Sequence, residues 1–137
     1  MNVLIVDDSQ LVAERMEGML TEISDDLRVI WHAQSAAEGR QAFRCGKPDV
    51  IILDVQMPGG SGIELLPEVK GVTPAPVVII LTNYPFPQYR DRCLEAGADY
   101  FFDKSGQFEE VARVLAGLLR SNGNGKGNGN GNGCKLS

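Results

Sequence analysis

The sequence predicts an α/β fold, a parallel sheet of five strands with helices on both faces. Three observations carry this expectation. Continuous runs of Val, Ile and Leu recur at Val3–Val6, Val50–Leu53 and Val77–Leu81, and such runs suit strands buried on both faces. Between the strands, apolar residues recur at helical spacing. The two patterns alternate along the chain, and strand–helix alternation implies parallel pairing through right-handed crossovers.

Val3–Val6 is the first strand. Ser9 is placed to cap the first helix, along which Val12, Met16, Met19, Leu20 and Ile23 recur. Leu27–Ala33 reads as a second, mixed strand. Ser35 with Glu38 three residues on is a capping-box pattern. The helix it opens stops near Cys45, at Gly46-Lys47-Pro48. Val50–Leu53 is the third strand and runs into Asp54. Residues 57–62 are a loop by composition. A short helix follows over Ile63–Val69, with Pro67 and Gly71 obscuring its end. Val77–Leu81 is the fourth strand, ending at Thr82. Pro85 and Pro87 delay the fourth helix to Pro87–Ala96, with Gly97 as its stop. Tyr100-Phe101-Phe102 is the fifth strand, ending near Lys104. Phe108, Val111, Ala112, Leu115, Leu118 and Leu119 form the apolar stripe of the last helix. From Asn122 to Gly133 the chain is Gly and Asn with one Lys, a composition that buries no apolar surface. Residues 1–120 are therefore expected to form one domain, and 121–137 a disordered tail.

Composition narrows the function. With 137 residues, 43% apolar and 23% charged, the chain has the make-up of one soluble globular domain. The net charge of −5 and the lack of a basic stripe argue against direct nucleic-acid binding. Cys45, Cys93 and Cys134 are scattered, odd in number and without a CxxC pair, as expected in a reducing cytoplasm. No apolar run approaches membrane-spanning length. Val3–Val6, followed by two acids, is too short for a signal peptide.

Functional residues of a parallel α/β sheet gather at the carboxyl ends of its strands. Those ends carry Asp7 and Asp8, then Asp54, Thr82 and Lys104. Taken singly, an Asp after a strand is an ordinary cap, a Thr is structural and a Lys is solvated. Jointly they place three carboxylates, a hydroxyl and an ammonium on one edge. Clustered carboxylates repel unless a cation intervenes. Hard oxygen ligands with water suit Mg2+. A carboxylate can also serve as nucleophile and become an aspartyl phosphate, with Lys104 and Thr82 facing the phosphoryl oxygens.

Asp7-Asp8, the run Ile51-Ile52-Leu53-Asp54-Val55-Gln56-Met57-Pro58-Gly59, Leu81-Thr82, and Gly97-Ala98-Asp99 leading to Lys104 resemble the receiver domain of two-component response regulators. The resemblance covers residues 1 to about 120. It implies a doubly wound, flavodoxin-like sheet of order 2-1-3-4-5 with five helices. It implies Asp54 as phosphoacceptor, Asp8 as direct Mg2+ ligand, Asp7 acting through a metal-bound water, and the Gln56 backbone carbonyl as a further ligand. Thr82 and Lys104 would contact the phosphoryl group, and Phe101 matches the aromatic switch position. A histidine kinase or histidine phosphotransfer protein would be the donor. The last two helices and strand five would form the output surface, toward a partner or a homodimer mate. Two departures stand out. Ser105 follows Lys104 where the family usually has proline, so a cis bond is not expected there. Asn83 and Tyr84 follow Thr82 where small residues are common.

Three other functions compete. A phosphatase of the aspartyl-phosphate type would place an acid two residues after the nucleophile, but Gln56 stands there and cannot do general acid–base work. A nucleotide-binding module would have a glycine-rich first turn, not Asp7-Asp8-Ser9-Gln10. A receiver-like interaction module without phosphorylation would not need the full acidic set.

Overall fold

The computed structural model describes residues 1–57 and 60–121. Five strands make one sheet: β1 (Asn2–Val6), β2 (Arg28–Ala33), β3 (Val50–Leu53), β4 (Val77–Thr82) and β5 (Tyr100–Asp103). Their order is β2-β1-β3-β4-β5, as expected, and every pairing in it is parallel. The helices are α1 (Gln10–Ile23), α2 (Ala36–Gly46), α3 (Leu66–Val69), α4 (Pro87–Glu95) and α5 (Glu110–Ser121). The predicted Gly/Asn tail lies outside the described residues from position 122 onward.

Alternation along the strands divides the core into two layers. Leu4, Val6, Ile51, Leu53, Val78 and Ile80 face Ala42, Phe43, Leu66, Val69 and Cys93 of α2, α3 and α4. Val3, Ile5, Val50, Ile52, Ile79 and Leu81 face Ala13, Met16 and Leu20 of α1 and Val111 and Leu115 of α5. Both faces of β1, β3 and β4 are thus dry, which is why these strands read as unbroken apolar runs. Each large side chain buried here contributes about 1.5–3 kcal/mol.

Ser9 caps α1 by accepting from Val12 N–H at 3.2 Å, and Ser35 caps α2 by accepting from Glu38 N–H at 3.1 Å. The Glu38 carboxylate does not close the reciprocal bond of a capping box. It accepts instead from Gln34 N–H at 3.1 Å and Trp31 Nε1 at 3.0 Å, tying β2 to α2. Gly97 follows α4 with φ of +109°, a conformation that costs glycine nothing. It lets Ala98 N–H return to the Cys93 carbonyl at 3.0 Å.

Three local features differ from expectation. The segment expected as a loop contains a two-residue antiparallel ribbon, Gln56–Met57 against Gly60–Ser61. The short helix begins as a 3-10 turn over Gly62–Leu65 and turns α-helical only at Leu66–Val69. Pro67 accounts for this, since it has no N–H to bond the Ile63 carbonyl and its ring crowds that oxygen. The last helix begins at Glu110, with Phe108 buried just before it under the Arg15 guanidinium, 3.9 Å from the ring centroid. Among the described residues, no helix is long and apolar enough to cross a membrane.

Candidate functional site

Strand register builds the site. Val6 is level with both Ala33 and Leu53, Leu53 with Ile80, and Thr82 with Asp103. The residues that end or follow the central strands therefore meet at one edge. Asp7 and Asp54 are buried at 3% and 4% exposure and Thr82 is fully buried, whereas Asp8 is exposed. Carboxylate oxygens of Asp7, Asp8 and Asp54 lie within 4.8 Å of one another. All three predicted acids come together.

Lys104 reaches them from the end of β5. Its Nζ is 2.8 Å from Asp7 Oδ2 and 3.0 Å from Asp54 Oδ2. Its backbone N–H donates to the Thr82 carbonyl at 2.9 Å, which aligns the ends of β4 and β5. The Lys104–Ser105 peptide is trans, as expected without proline. Asp7 Oδ1 accepts from Ser9 N–H at 2.8 Å, so the same turn that opens α1 orients this carboxylate. Asp54 Oδ1 faces Gln56 N–H at 3.4 Å, and Thr82 Oγ1 accepts from Tyr84 N–H at 3.0 Å.

Burial pushes the Asp54 carboxyl above its ordinary range, more than the charge and hydrogen bond of Lys104 pull it down. Burial alone would lower Lys104, but its hydrogen bond to Asp7 and the Asp54 charge outweigh it, so the ammonium is held more firmly protonated. One buried ammonium thus stands against two buried carboxylates and an exposed third. The excess negative charge favours a further cation. The donors are hard carboxylate oxygens, and the exposed Asp8 side leaves room for water, so the set fits Mg2+.

Phe101 lies in the core layer beneath α4 at 9% exposure, with Tyr89 packed against that layer. The aromatic at the expected switch position is thus inside. Two features escaped the sequence reading. Gln56 Nε2 donates to Tyr89 Oη at 3.1 Å, joining the segment after Asp54 to α4. His32 Nε2 donates to the Asp7 backbone carbonyl at 2.7 Å. The only signal for His32 was its being the chain's one histidine.

The response regulator receiver domain family matches residues 3–116. A response regulatory protein of Vibrio cholerae is 35% identical over 122 residues, covering 89% of this chain and 50% of the relative. Transcriptional regulatory protein DesR of Bacillus subtilis is 31% identical over 118 residues, covering 86% of this chain and 58% of the relative. The chain spans about half the length of the curated relatives it matches. The response regulator domain of Thermotoga maritima CheB has the same fold, with a TM-score of 0.75 and 27% identity over 93% of this chain and 98% of that one. Receiver domains typically bind Mg2+ in an acidic pocket and interact with histidine kinases. The sheet order, the acidic edge and these matches agree: the chain belongs to the response regulator receiver domain family, whose general function is phosphorylation-based signalling.

Proposed function

We propose that Asp54 is the phosphoacceptor, taking its phosphoryl group from a phosphohistidine of a histidine kinase or histidine phosphotransfer protein. The P–N bond of the donor breaks, an Asp54 Oδ–P bond forms, and the imidazole leaves with a proton. The observation that carries this reading is the burial of Asp54 beside Lys104 and within 4.8 Å of Asp7 and Asp8. Asp7, Asp8, Asp54 and the Gln56 backbone carbonyl would hold Mg2+, which supplies charge neutralisation during phosphoryl transfer. Lys104 faces the phosphoryl oxygens with a fixed positive charge, and Thr82 offers a hydroxyl donor.

The chain acts as a switch that catalyses only its own phosphorylation and dephosphorylation, because Gln56 offers no general acid beside Asp54. Thr82 and Phe101 transmit the change to α4, β5 and α5. That face exposes Tyr84, Phe86, Leu94 and Tyr100, apolar surface suited to a protein partner or a second copy. The chain's net charge of −5 makes nucleic acid an unsuitable direct ligand. A cytoplasmic receiver over residues 1–120 with a Gly/Asn tail completes the reading.

Intact-mass measurement tests it. With acetyl phosphate or a cognate kinase and Mg2+, wild type should gain one base-labile phosphoryl group and Asp54→Asn should gain none. Equal modification of both proteins would overturn the assignment.

A further inference from the structure

We propose that His32 is a positioning residue for the Asp7-Asp8 turn, acting through the hydrogen bond from its Nε2 to the backbone carbonyl between the two acids. The proposal rests on the reading that these acids hold Mg2+.

Strand register explains why a side chain is needed there. Asp7 N–H donates to the Ala33 carbonyl at 2.9 Å, closing the β1–β2 ladder. In a continued parallel ladder, the Asp7 carbonyl would accept from the N–H of Ser35, two residues beyond Ala33. The chain leaves the sheet first: β2 ends at Ala33, and Ser35 caps α2. His32, the last residue but one of β2, reaches the Asp7 carbonyl instead, at 2.7 Å. A carbonyl only accepts, so Nε2 carries a proton in this contact. The oxygen it holds belongs to the peptide joining Asp7 to Asp8, and fixing that peptide plane fixes the base from which the exposed Asp8 carboxylate projects. The Asp7 carboxylate has its own anchors, Ser9 N–H at 2.8 Å and Lys104 at 2.8 Å. The effect of His32 therefore falls on Asp8.

Three variants separate the donor from the bulk of the ring. His32→Gln offers an amide N–H near the Nε2 position. His32→Asn offers its amide near Nδ1 instead, and His32→Phe keeps ring shape alone. Mg2+ titrations followed by backbone NMR should give near wild-type affinity for H32Q. H32N and H32F should bind about 10-fold more weakly, as for partners that orient metal ligands from outside the first coordination layer. Metal-free spectra give a second readout: the Asp8 and Ser9 amides should move in H32N and H32F but not in H32Q, and the ring nitrogen shifts of wild-type His32 should report a protonated Nε2. Unchanged Mg2+ affinity in H32N and H32F would overturn the positioning role. Equal losses in all three variants would also overturn it, since they would point to ring packing. A wild type as blind to Mg2+ as Asp8→Ala would instead overturn the metal reading, and the role of His32 with it.

Discussion

The Lys104 ammonium nitrogen lies 3.0 Å from Asp54 Oδ2, with the two side chains only 8% and 5% exposed. Lys104 also serves Asp7 at 2.8 Å, so its single charge is shared between two carboxylates. Asp54 is left incompletely compensated. Its desolvation is offset by half a partner, and the carboxyl titrates above its ordinary range. A buried carboxylate in this condition gains from a bound cation more than a well-paired one does.

This raised affinity for a proton has a consequence for stability. Between its unfolded and folded pKa values, Asp54 binds more protons in the folded chain than in the unfolded one. Stability therefore falls as pH rises through that window. Asp54→Asn removes the titration. In chelator, the variant should gain on wild type as pH rises from about 4 toward neutrality, and the difference should then level off. Urea melts across this range measure it. A difference independent of pH would show that Asp54 is not raised.

Gly62 sits where no side chain fits. A Cβ there would lie 2.0 Å from the Asp54 backbone carbonyl and 3.0 Å from the Leu53 side chain, while Gly62 N–H donates to Val55 O at 2.9 Å. Gly62→Ala must push back the segment that carries Asp54. It should lower stability by about 1–3 kcal/mol, as overpacking does, and slow phosphorylation as well. Gly18, inside α1, has nothing within 4 Å of its Cβ position. Gly18→Ala should raise stability by about 0.5–1 kcal/mol through helix propensity. Thermal melts with parallel phosphorylation assays compare the two. A Gly62→Ala protein that melts and reacts like wild type would show that the site loop yields freely.

Much of this molecule is legible in its sequence. The apolar runs of β1, β3 and β4 show because both faces of those strands are covered. Asp7, Asp54, Thr82 and Lys104 could be paired in advance because parallel strands bring equivalent ends to one edge. The ribbon at Gln56–Met57 could not be read, since two residues show no periodicity. The late start of α5 follows a turn in which Gln107 N–H donates to Asp103 O at 2.7 Å and Gln107 Oε1 accepts from Asp103 N–H at 3.0 Å, side-chain and backbone bonds that an apolar stripe does not show. His32 and Tyr89 gained their roles through partners 25 and 33 positions away.

Thr82 links the site to α4 by a short chain of contacts. Its hydroxyl accepts from Tyr84 N–H at 3.0 Å. The Tyr84 and Phe86 rings stand 6.5 Å apart, Phe86 and Tyr89 6.0 Å apart, and Tyr89 Oη returns to Gln56, two residues after Asp54. A hydroxyl can donate to a phosphoryl oxygen while still accepting from Tyr84, so movement of Thr82 toward Asp54 carries Tyr84 with it. Under the proposed switch, Phe101, already buried beneath α4, should repack in response. Thr82→Ala removes the link and leaves Asp54 and Lys104 in place. The variant should lose about 1 kcal/mol of stability and still bind beryllofluoride, a phosphoryl mimic, in the presence of Mg2+. In wild type, beryllofluoride should shift the backbone amides of residues 83–90 and 100–104. In Thr82→Ala those amides should stay near their unliganded positions. Identical shifts in both proteins would show that the coupling bypasses Thr82, and shifts confined to α1 and α2 would place the switch elsewhere.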